Sequence, residues 1–550
     1  YTQSQSNARY MQLANNLSDV ASAPTALTNL GLTADAAEIN KLDGMSATKT
    51  ELNYVSGVTS SIQTQLNNIS PSPTLVATAS GALANGDLVI VNADGTVSVV
   101  NETINSTPSV GSPTVFESAQ TNSSSVAYDT SQNKIVVAYT DVGNSNIGTL
   151  VIGTVSGNSI TFSSPIIFEN ANTTDPSVVF DSNSNKIVIC YTDNGNLYSG
   201  TAIVGTLSGN SISFGSPVVY QSQGSYYNKA TFDSNTNTVV IAFSDVSNSS
   251  HGTAIVGTVS GTSISFGSKT VFDNNSCDQF AITFDSNLNK VCIFWRDQGN
   301  NLYGTGIVGT VSGTGISFGA NKWTYNSATT VHQTAVFDSN SNKVVIAYRD
   351  SGNSNAGTAR VVSLSGSGNA DMSFGTAVVY NATRTDSSWA TFDPVQNKIA
   401  IAYADVGNTQ GEIVIGTVSG TDISFTTPIV FNADGVGHIG SAFDSNADKV
   451  AIAYMDHTGA NYYGNGIVLE TQQVTRNLTA ENYIGISDGA YANAASANIQ
   501  IVGAVDDAQS GLTAGQKYYV QNDNTLGLTA TTPSVFAGTA VSASKLIIKG

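Results

Sequence analysis

The sequence predicts a mainly β protein whose largest part is a seven-bladed β-propeller with four-stranded blades. Three observations lead to this prediction: an aromatic residue followed by aspartate recurs seven times, the copies lie about 52 residues apart, and each copy precedes the same succession of apolar runs and turn residues. Units of this length with four short strands are typical of propeller blades. β-Solenoids have shorter repeats, and helical repeats need a helical period that is absent here.

Each copy of the repeat carries two aspartates at fixed positions. The first follows the aromatic residue, and the seven examples, spaced by 52, 52, 52, 53, 55 and 51 residues, are Asp129, Asp181, Asp233, Asp285, Asp338, Asp393 and Asp444. The second stands 12 residues later, at Asp141, Asp193, Asp245, Asp297, Asp350, Asp405 and Asp456. An aspartate side chain can accept hydrogen bonds from the backbone that follows it and so fix a tight turn. We therefore predict that both columns are structural turns.

The first of these turns resembles a calcium loop superficially, because Asp and Asn alternate in Asp181-Ser-Asn-Ser-Asn-Lys. Lys186 stands where such a loop needs glycine, no glutamate closes the loop, and no helices flank it. The sequence therefore predicts no metal site, and we expect no cofactor.

Within a unit such as 176–220, turn residues separate four runs that read as strands. The first run ends at Phe180, and the second, residues 186–193, is almost continuously apolar. A strand that is apolar on both faces is buried on both faces, as between stacked sheets. The third and fourth strands are predicted over 200–207 and 211–220, with Ser, Gly and Asn in the turn between them.

The two ends of the repeat array predict a closed ring. After the seventh unit the chain continues from Gly466 without the phrase that forms the fourth strand in units one to six. A matching phrase, residues 111–118, stands before the first unit instead. If this N-terminal strand completes the seventh blade, the ring has no exposed edge, which is the part of a sheet that invites aggregation. We therefore expect the N-terminal strand to close the propeller.

The regions outside the repeats have a different design. Residues 1–72 hold two similar helical phrases and a heptad fragment too short to be stable alone, so we expect these pieces to need neighbours, most simply identical chains wound about an axis. Residues 73–105 and 471–550 contain two similar hairpins. This favours one small β-domain into which the propeller, residues 106–470, is inserted, and two separate small domains are the alternative.

Phrases in these flanking regions resemble bacteriophage tail fibres, particularly those of marine tailed phages. The resemblance rests on residues 16–20, 27–32 and 60–66, on Glu-Ile-Asn-Lys-Leu-Asp-Gly with Glu-Leu-Asn-Tyr-Val-Ser-Gly, and on the segment 506–520. It implies that residues 1–72 form a short helical trimeric shaft. It also implies that the protein is a homotrimeric virion appendage, assembled in the host cytoplasm, that contacts other virion proteins and the host surface. It carries no catalytic motif, so it implies a receptor-binding protein rather than an enzyme.

Composition excludes several classes of partner. Only 11% of the residues are charged, the net charge is −19, and the lysines and arginines form no basic run, so nucleic acid and an anionic membrane surface are unsuitable partners. No window reaches the roughly 18 unbroken apolar residues of a membrane span, so we expect no membrane insertion. The cysteines Cys190, Cys277 and Cys292 have neither disulfide nor zinc spacing and are predicted to be small buried hydrophobes.

Comparison of the seven units with one another predicts the binding site. The turn after each first aspartate hardly changes, whereas the residue six positions before it varies: Ser123, Asp175, Tyr227, Gln279, His332, Ser387 and His438. If the first strand is innermost, as in propellers generally, these side chains surround one end of the central channel. Tyr226, Trp389 and Arg384 add stacking surfaces and a cation, which are common in sugar-binding sites. We predict that this set binds a host glycan or protein; the alternative is a solvated rim of polar strand ends.

Two other functions remain open from the sequence. A glycan depolymerase would need two carboxylates in one cleft, and the candidates are Asp175, Asp386 and Asp434, in the loops that enter units two, six and seven. An architectural spacer or a cellular adhesin would need no specific receptor site. Sialidase chemistry is disfavoured, because Arg296 and Arg349 directly precede aspartates and are predicted to pair locally rather than to bind substrate.

Overall fold

The computed structural model describes residues 73–549, except 106, 366–370, 460–461, 472 and 532, together with residues 31, 33, 48 and 50. The predicted shaft, residues 1–72, lies outside the described residues apart from those four positions. The elements of the described part are β-strands and two short 3-10 turns, Val142–Asn144 and Val246–Asn248, which confirms the mainly β prediction. In this part of the chain, no helix has the length and apolar character needed to cross a bilayer.

One compact unit combines the chain up to Glu102 with the chain from Arg476 onward. Its first sheet has the strand order Thr74–Thr78, Ser496–Gln500, Tyr483–Ser487, Leu88–Val91, Val97–Val99, and its second sheet has the order Val505–Asp506, Leu546–Ile548, Phe536–Ala540, Lys517–Val520, Leu526–Gly527. In the first sheet, two strands of the C-terminal segment lie between strands of the N-terminal segment. Leu88 also shares a buried core with Leu546 and Ile548. The described parts of the two flanking segments therefore belong to one compact unit, and the repeats lie between them in the sequence.

The second compact unit, Thr103–Thr475, contains the seven repeats. The second strands are Lys134–Asp141, Lys186–Asp193, Thr238–Asp245, Lys290–Asp297, Lys343–Asp350, Lys398–Asp405 and Lys449–Asp456. The third strands are Ile147–Ser156, Ser199–Ser208, His251–Ser260, Tyr303–Ser312, Ala356–Ser365, Gln410–Ser419 and Tyr463–Glu470. Each second strand pairs antiparallel with its third strand and is almost wholly buried, as its continuous apolar sequence requires. Two short strands, Glu102–Asn105 and Gln473–Arg476, lie where the chain passes from one unit to the other.

The fourth strand of each repeat differs from the prediction, because it consists of two pieces rather than one. The outer pieces are Ser159–Phe162, Ser211–Phe214, Ser263–Phe266, Gly315–Phe318, Asp371–Phe374 and Asp422–Phe425. In the second repeat a break at Gly215 and Pro217 follows the outer piece, and the inner piece then pairs with the other half of the third strand. Pro217 has no N–H to donate, and a Cβ at Gly215 would lie 1.8 Å from the carbonyl oxygen of Thr262. The break is therefore built into the sequence.

Each inner piece leads into the first strand of the next repeat. The inner piece and the first strand form one continuous strand in Thr114–Asp129, Ile166–Asp181, Thr270–Asp285, Trp323–Asp338 and Val378–Asp393. In the other two cases a short loop separates the inner piece from the first strand: Val218–Gln221 is followed by Ser225–Asp233, and Ile429–Asn432 by Val436–Asp444. Because strands continue between repeats, the hydrogen-bonded sheets are large, with 13 and 17 strands, and end at these two loops. Within the described residues, neither sheet closes on itself.

The turns after the first strands have the hydrogen bonds predicted from the sequence. In all seven, Oδ1 of the first aspartate accepts the backbone N–H groups two and three residues later, at 2.8–3.1 Å. In the second column, Asp141, Asp297, Asp350, Asp405 and Asp456 accept similar backbone bonds. Asp245 differs, because it binds Lys269 Nζ at 2.7 Å. Oδ1 of Asp193 is buried without a hydrogen-bond partner among the described residues.

The N-terminal segment completes the seventh repeat. Ser109–Val110 and the beginning of Thr114–Asp129 pair antiparallel with the third strand of that repeat, Tyr463–Glu470. Ser109–Val110 occupies the position of the outer piece of the fourth strand in the other repeats, and the beginning of Thr114–Asp129 occupies the position of the inner piece. On the inner side, a Cβ at Gly440 would lie 3.0 Å from the carbonyl oxygen of Ser124, so the first strands of repeats seven and one are neighbours.

Phe116 shows how closely this N-terminal segment imitates a fourth strand. In every repeat an aromatic ring of the inner piece covers a glycine of the third strand, and in the seventh repeat the ring of Phe116 lies 2.4 Å from where a Cβ of Gly464 would be. Phe116 is 6% exposed, and its ring centroid lies 5.3 Å from those of Tyr139 and Phe162 in the first repeat. The N-terminal segment thus joins the cores of repeats seven and one.

Candidate functional site

The seven variable residues predicted from the repeats occupy equivalent positions in the structure. Each lies at a β-bulge in its first strand, where the pairing with the second strand shifts in register, as between Asn122 and Ser125. Each has a left-handed backbone, with φ between 49° and 58°: Ser123, Asp175, Tyr227, Gln279, His332, Ser387 and His438. A bulge re-aims a side chain away from the alternation of a regular strand. The bulges therefore turn these seven side chains, which the sequence placed in loops or at strand ends, toward one region.

That region is a cavity of about 220 Å³ bordered by the first strands of all seven repeats. All seven bulge residues line it. A smaller cavity of about 90 Å³ is bordered by the following residues of the same strands, except those of the seventh repeat. Lys229, Phe280, Gln333 and Trp389 border both cavities and so form the level between them.

Two bulge side chains tie neighbouring repeats together. Oδ2 of Asp175 accepts the backbone N–H of Tyr227 at 2.8 Å, and Oε1 of Gln279 accepts the backbone N–H of His332 at 3.2 Å. Burial raises the pKa of Asp175, although this hydrogen bond and the nearby ammonium group of Lys229 act in the opposite direction. The bulge position thus combines a structural contact with a side chain that faces the cavity.

Both histidines of the bulge column are neutral at physiological pH. Burial lowers the pKa of His332 to about 4, although its Nε2 lies 3.5 Å from a carboxylate oxygen of Asp386. Burial likewise lowers the pKa of His438 to about 4, with further contributions from His457 and His332. The neutral rings offer one donor and one acceptor each to a ligand.

The two low histidine pKa values predict that the protein loses stability in mild acid. An ordinary histidine titrates at about pH 6.5. Between that pH and about pH 4 the unfolded chain binds protons that the folded chain does not, so the free energy of unfolding decreases as the pH is lowered through this window. Replacing both residues, as His332→Gln with His438→Gln, is expected to make this decline shallower in urea-unfolding series at several pH values. Glutamine is suited to the bulge, since Gln279 occupies it in the fourth repeat.

The control for this measurement is His251→Gln, which removes a histidine outside both cavities. An unchanged pH slope in the double variant would contradict the assignment of the acid sensitivity to the cavity.

Two ion clusters flank the cavity, and both correct the predicted arginine partners. Arg349 contacts Asp386, which also binds Arg384 at 3.0 Å. Arg296 forms two hydrogen bonds with Asp278, at 2.7 and 2.5 Å. The predicted local pairing with the directly following aspartates does not occur, because successive side chains of a strand point to opposite faces. Arg296 instead reaches Asp278 on the strand with which its own strand pairs, and Arg349 reaches Asp386 on the first strand of the next repeat. Both aspartates immediately precede a bulge residue.

The aromatic candidates separate into two places. Tyr226 lies with Tyr198 in a tilted ring pair, with centroids 6.0 Å apart, beside the bulge residue Tyr227. Tyr198 and Tyr227 are 49% and 37% exposed, so this tyrosine cluster of Tyr198, Tyr226 and Tyr227 offers a surface for stacking. Trp389 instead borders the cavities, and Nζ of Lys229 lies 4.9 Å from its ring centroid. The tryptophan face is therefore occupied by a lysine rather than free for a ligand.

The sequence analysis missed Tyr198 and Lys229. Tyr198 belongs to the loop before a third strand, a position that the column of bulge residues does not include. Lys229 stands two residues after its bulge, where the other repeats have Ser125, Ser177, Ala281, Thr334, Trp389 and Gly440. The same comparison of repeats, applied to this position, would have identified the single lysine.

The three candidate acids of a depolymerase lie in different environments. Asp175 borders the central cavity, and Asp386 borders a separate cavity of about 380 Å³ between repeats six and seven. Asp175 and Asp386 lie within strands rather than in the predicted loops, whereas Asp434 does lie in a loop. The carboxylate of Asp386 is engaged by Arg349 and Arg384. Within the described residues, no cluster of three or more His, Cys, Asp or Glu side chains suits a metal ion.

Comparisons with known proteins concern the fold. No protein-family model and no curated protein matches the sequence. Among solved structures, the chain is similar to the β-propeller domain of Cps50 (Swd1) from Myceliophteria thermophila, with 9% identity, a TM-score of 0.44, and coverage of 66% of this chain and 99% of that one. It is also similar to the BP39L lectin from Burkholderia pseudomallei, with 10% identity, a TM-score of 0.47, and coverage of 64% and 96%. A propeller scaffold by itself does not indicate a ligand.

Proposed function

We propose that this protein is a non-enzymatic tail-fibre protein of a bacteriophage virion that binds a glycan or protein of the host surface. In this proposal the seven repeats form a closed seven-bladed β-propeller, and the end of the first strands that carries the bulges is the receptor-binding face. The observation that carries the proposal is that side chains of five different types occupy one structurally equivalent position in the seven repeats, around one cavity. A fold-determined position would be filled by similar residues in every repeat, as the turn aspartates are.

Two features support a closed ring of seven blades. The N-terminal segment supplies both pieces of the fourth strand to the seventh repeat. First strands of all seven repeats border the same cavity, as the innermost strands of a propeller border its central channel. The hydrogen-bonded sheets themselves stay open, but a propeller closes by packing of blades rather than by a continuous ladder of hydrogen bonds.

The trimer and the virion location are supported by the sequence alone. The phrases of residues 1–72 resemble tail-fibre shafts, and the segment 506–520 resembles one common in the same proteins. This resemblance implies three chains around one axis. Three copies of a face with several weak contacts gain strength through multivalency, so no single strong site is needed. Other virion proteins would hold the opposite end of such a shaft.

The test is adsorption with purified full-length protein. A particle of three times the chain mass of 56.8 kDa is expected by light scattering. The labelled protein is expected to bind host cells and, in excess, to block virion adsorption to them, without shortening the envelope polysaccharide. A monomeric mass would contradict the trimer. If virions require this protein to adsorb to a host cell, and the purified protein does not bind that cell, receptor binding is contradicted. Shortened polysaccharide would contradict the non-enzymatic assignment.

A further inference from the structure

The level between the two cavities contains a cation that the other six repeats lack at the equivalent position. Lys229 is the single lysine or arginine among the described residues that line the central cavity, and its side chain is only partly exposed. At the equivalent position Ser125, Ser177 and Thr334 use a hydroxyl to accept a backbone N–H from the next repeat. Ala281 makes no such bond, so the position tolerates a side chain without this role. Burying an ammonium group is costly unless it gains a partner.

The described residues leave this ammonium group without a salt bridge or a hydrogen-bond acceptor. Its contact within the chain is the face of Trp389, 4.9 Å from Nζ to the ring centroid. The carboxylate of Asp175 lies nearby, but its Oδ2 is occupied by the N–H of Tyr227. Burial lowers the pKa of Lys229, which fits a group that has lost water without gaining a full counter-ion. The three N–H donors of this group thus have no hydrogen-bond acceptor among the described residues, and the group borders both cavities.

The arginines near the cavity already have carboxylate partners. Arg349 and Arg384 are paired with Asp386, and Arg296 is paired with Asp278. The lining histidines are neutral above about pH 4. A negatively charged ligand group that enters the cavity therefore has one unpaired cation to meet, and this cation lies at the inner end.

The size of the space limits the ligand. A volume of about 220 Å³ is below the roughly 300 Å³ at which pockets for drug-sized molecules begin, so one sugar unit fits and an oligosaccharide does not. Hydroxyl, amide and imidazole groups of Ser123, Gln279, Ser387 and His438 surround the entrance and suit the hydroxyls of a sugar.

We propose that the central cavity binds a sugar acid, with the carboxylate of a terminal monosaccharide on Lys229 and its hydroxyls on the bulge side chains. This inference rests on the proposed function and names the chemical class of its receptor. Asp175 then serves as the opposing charge that weakens binding of the wrong orientation, since a carboxylate of the ligand must avoid it and meet Lys229.

The test uses sugar pairs that differ only in the carboxylate. Titrations of the full-length protein with glucuronate, glucose, galacturonate and galactose, followed by ligand-observed NMR, are expected to show at least about tenfold tighter binding of an acid than of its neutral counterpart, as a hydrogen-bonded charge pair provides. Lys229→Met is expected to abolish this preference and Lys229→Arg to keep part of it. Asp175→Asn, which retains an acceptor for the N–H of Tyr227, is expected to strengthen binding of the acid.

The matched control is Lys545→Met, which removes an exposed lysine from the other compact unit and changes the net charge equally. Equal binding of acid and neutral sugars, binding of neither, or an unchanged preference in Lys229→Met would overturn the sugar-acid site. If Lys229→Met does not fold, Asp175→Asn decides, because weaker or unchanged acid binding in that variant would also overturn it. If Lys229→Met still binds host cells, the proposed receptor binding is retained and the sugar-acid site is contradicted as the receptor site.

Discussion

Replacing Phe116 with alanine is expected to lower the free energy of unfolding of the repeat unit by about 3–5 kcal/mol, the usual cost of removing a buried phenylalanine ring. Phe116 covers Gly464 in the seventh repeat and packs against Tyr139 and Phe162 in the first. The ring is therefore part of the joint between the two ends of the repeat array. Urea unfolding followed by circular dichroism measures the effect.

Val115→Ala is the matched control for this experiment, since Val115 is the preceding residue of the same strand and is 50% exposed. It is expected to change the free energy of unfolding by less than about 1 kcal/mol, as surface substitutions do. If Phe116→Ala lowers the free energy of unfolding no more than Val115→Ala does, the proposal that the N-terminal segment closes the array of seven repeats is contradicted.

Removing the tyrosine cluster is expected to reduce binding to host cells about tenfold or more, because exposed aromatic side chains dominate the energy of many interfaces. The variant combines Tyr198→Ser, Tyr226→Thr and Tyr227→Ser. Each new residue already stands at the equivalent position of another repeat, as Ser250, Thr174 and Ser123 do, so the bulge and loop geometry is retained. Flow cytometry with the labelled protein gives the apparent affinity.

The control for the receptor-binding face is Val395→Asn, at the opposite end of a first strand. Val395 is 46% exposed and lies in the turn of the sixth repeat, where Asn340 occupies the same place in the fifth. Binding is expected to be unchanged in this variant. Equal losses in both variants, or no loss in the tyrosine variant, would contradict the assignment of receptor binding to the bulge-bearing end.

Local chemistry explains why so much of the repeat could be predicted. The turn aspartates act on the backbone two and three residues away, so their role is readable from a short segment such as Asp181 to Ser184. The buried second strands are readable for the same reason, since continuous apolar sequence leaves no polar face. The fourth strand was predicted wrongly as one piece, although Gly215 and Pro217 marked the break.

Contacts across the cavity could not be read in this way. The bulge residues were identified from the sequence because they vary between repeats while the turns do not. Their left-handed backbones depend on the pairing of two strands, and their common cavity depends on contacts among all seven repeats. Arg296 and Arg349 were assigned the wrong partners, because the face of a strand to which a side chain points is fixed by the register of its neighbours.

The sequence by itself determined the period, the turns and the buried strands of this protein, because each of these depends on interactions between residues a few positions apart. Only the tertiary structure decided that Lys229 lies over Trp389, 160 positions later, and that Phe116 packs beside Gly464. These pairs come from different repeats, and no local pattern brings them together. They meet because the repeats curve back on themselves, so that long-range packing places an unpaired cation inside a cavity that no single repeat contains.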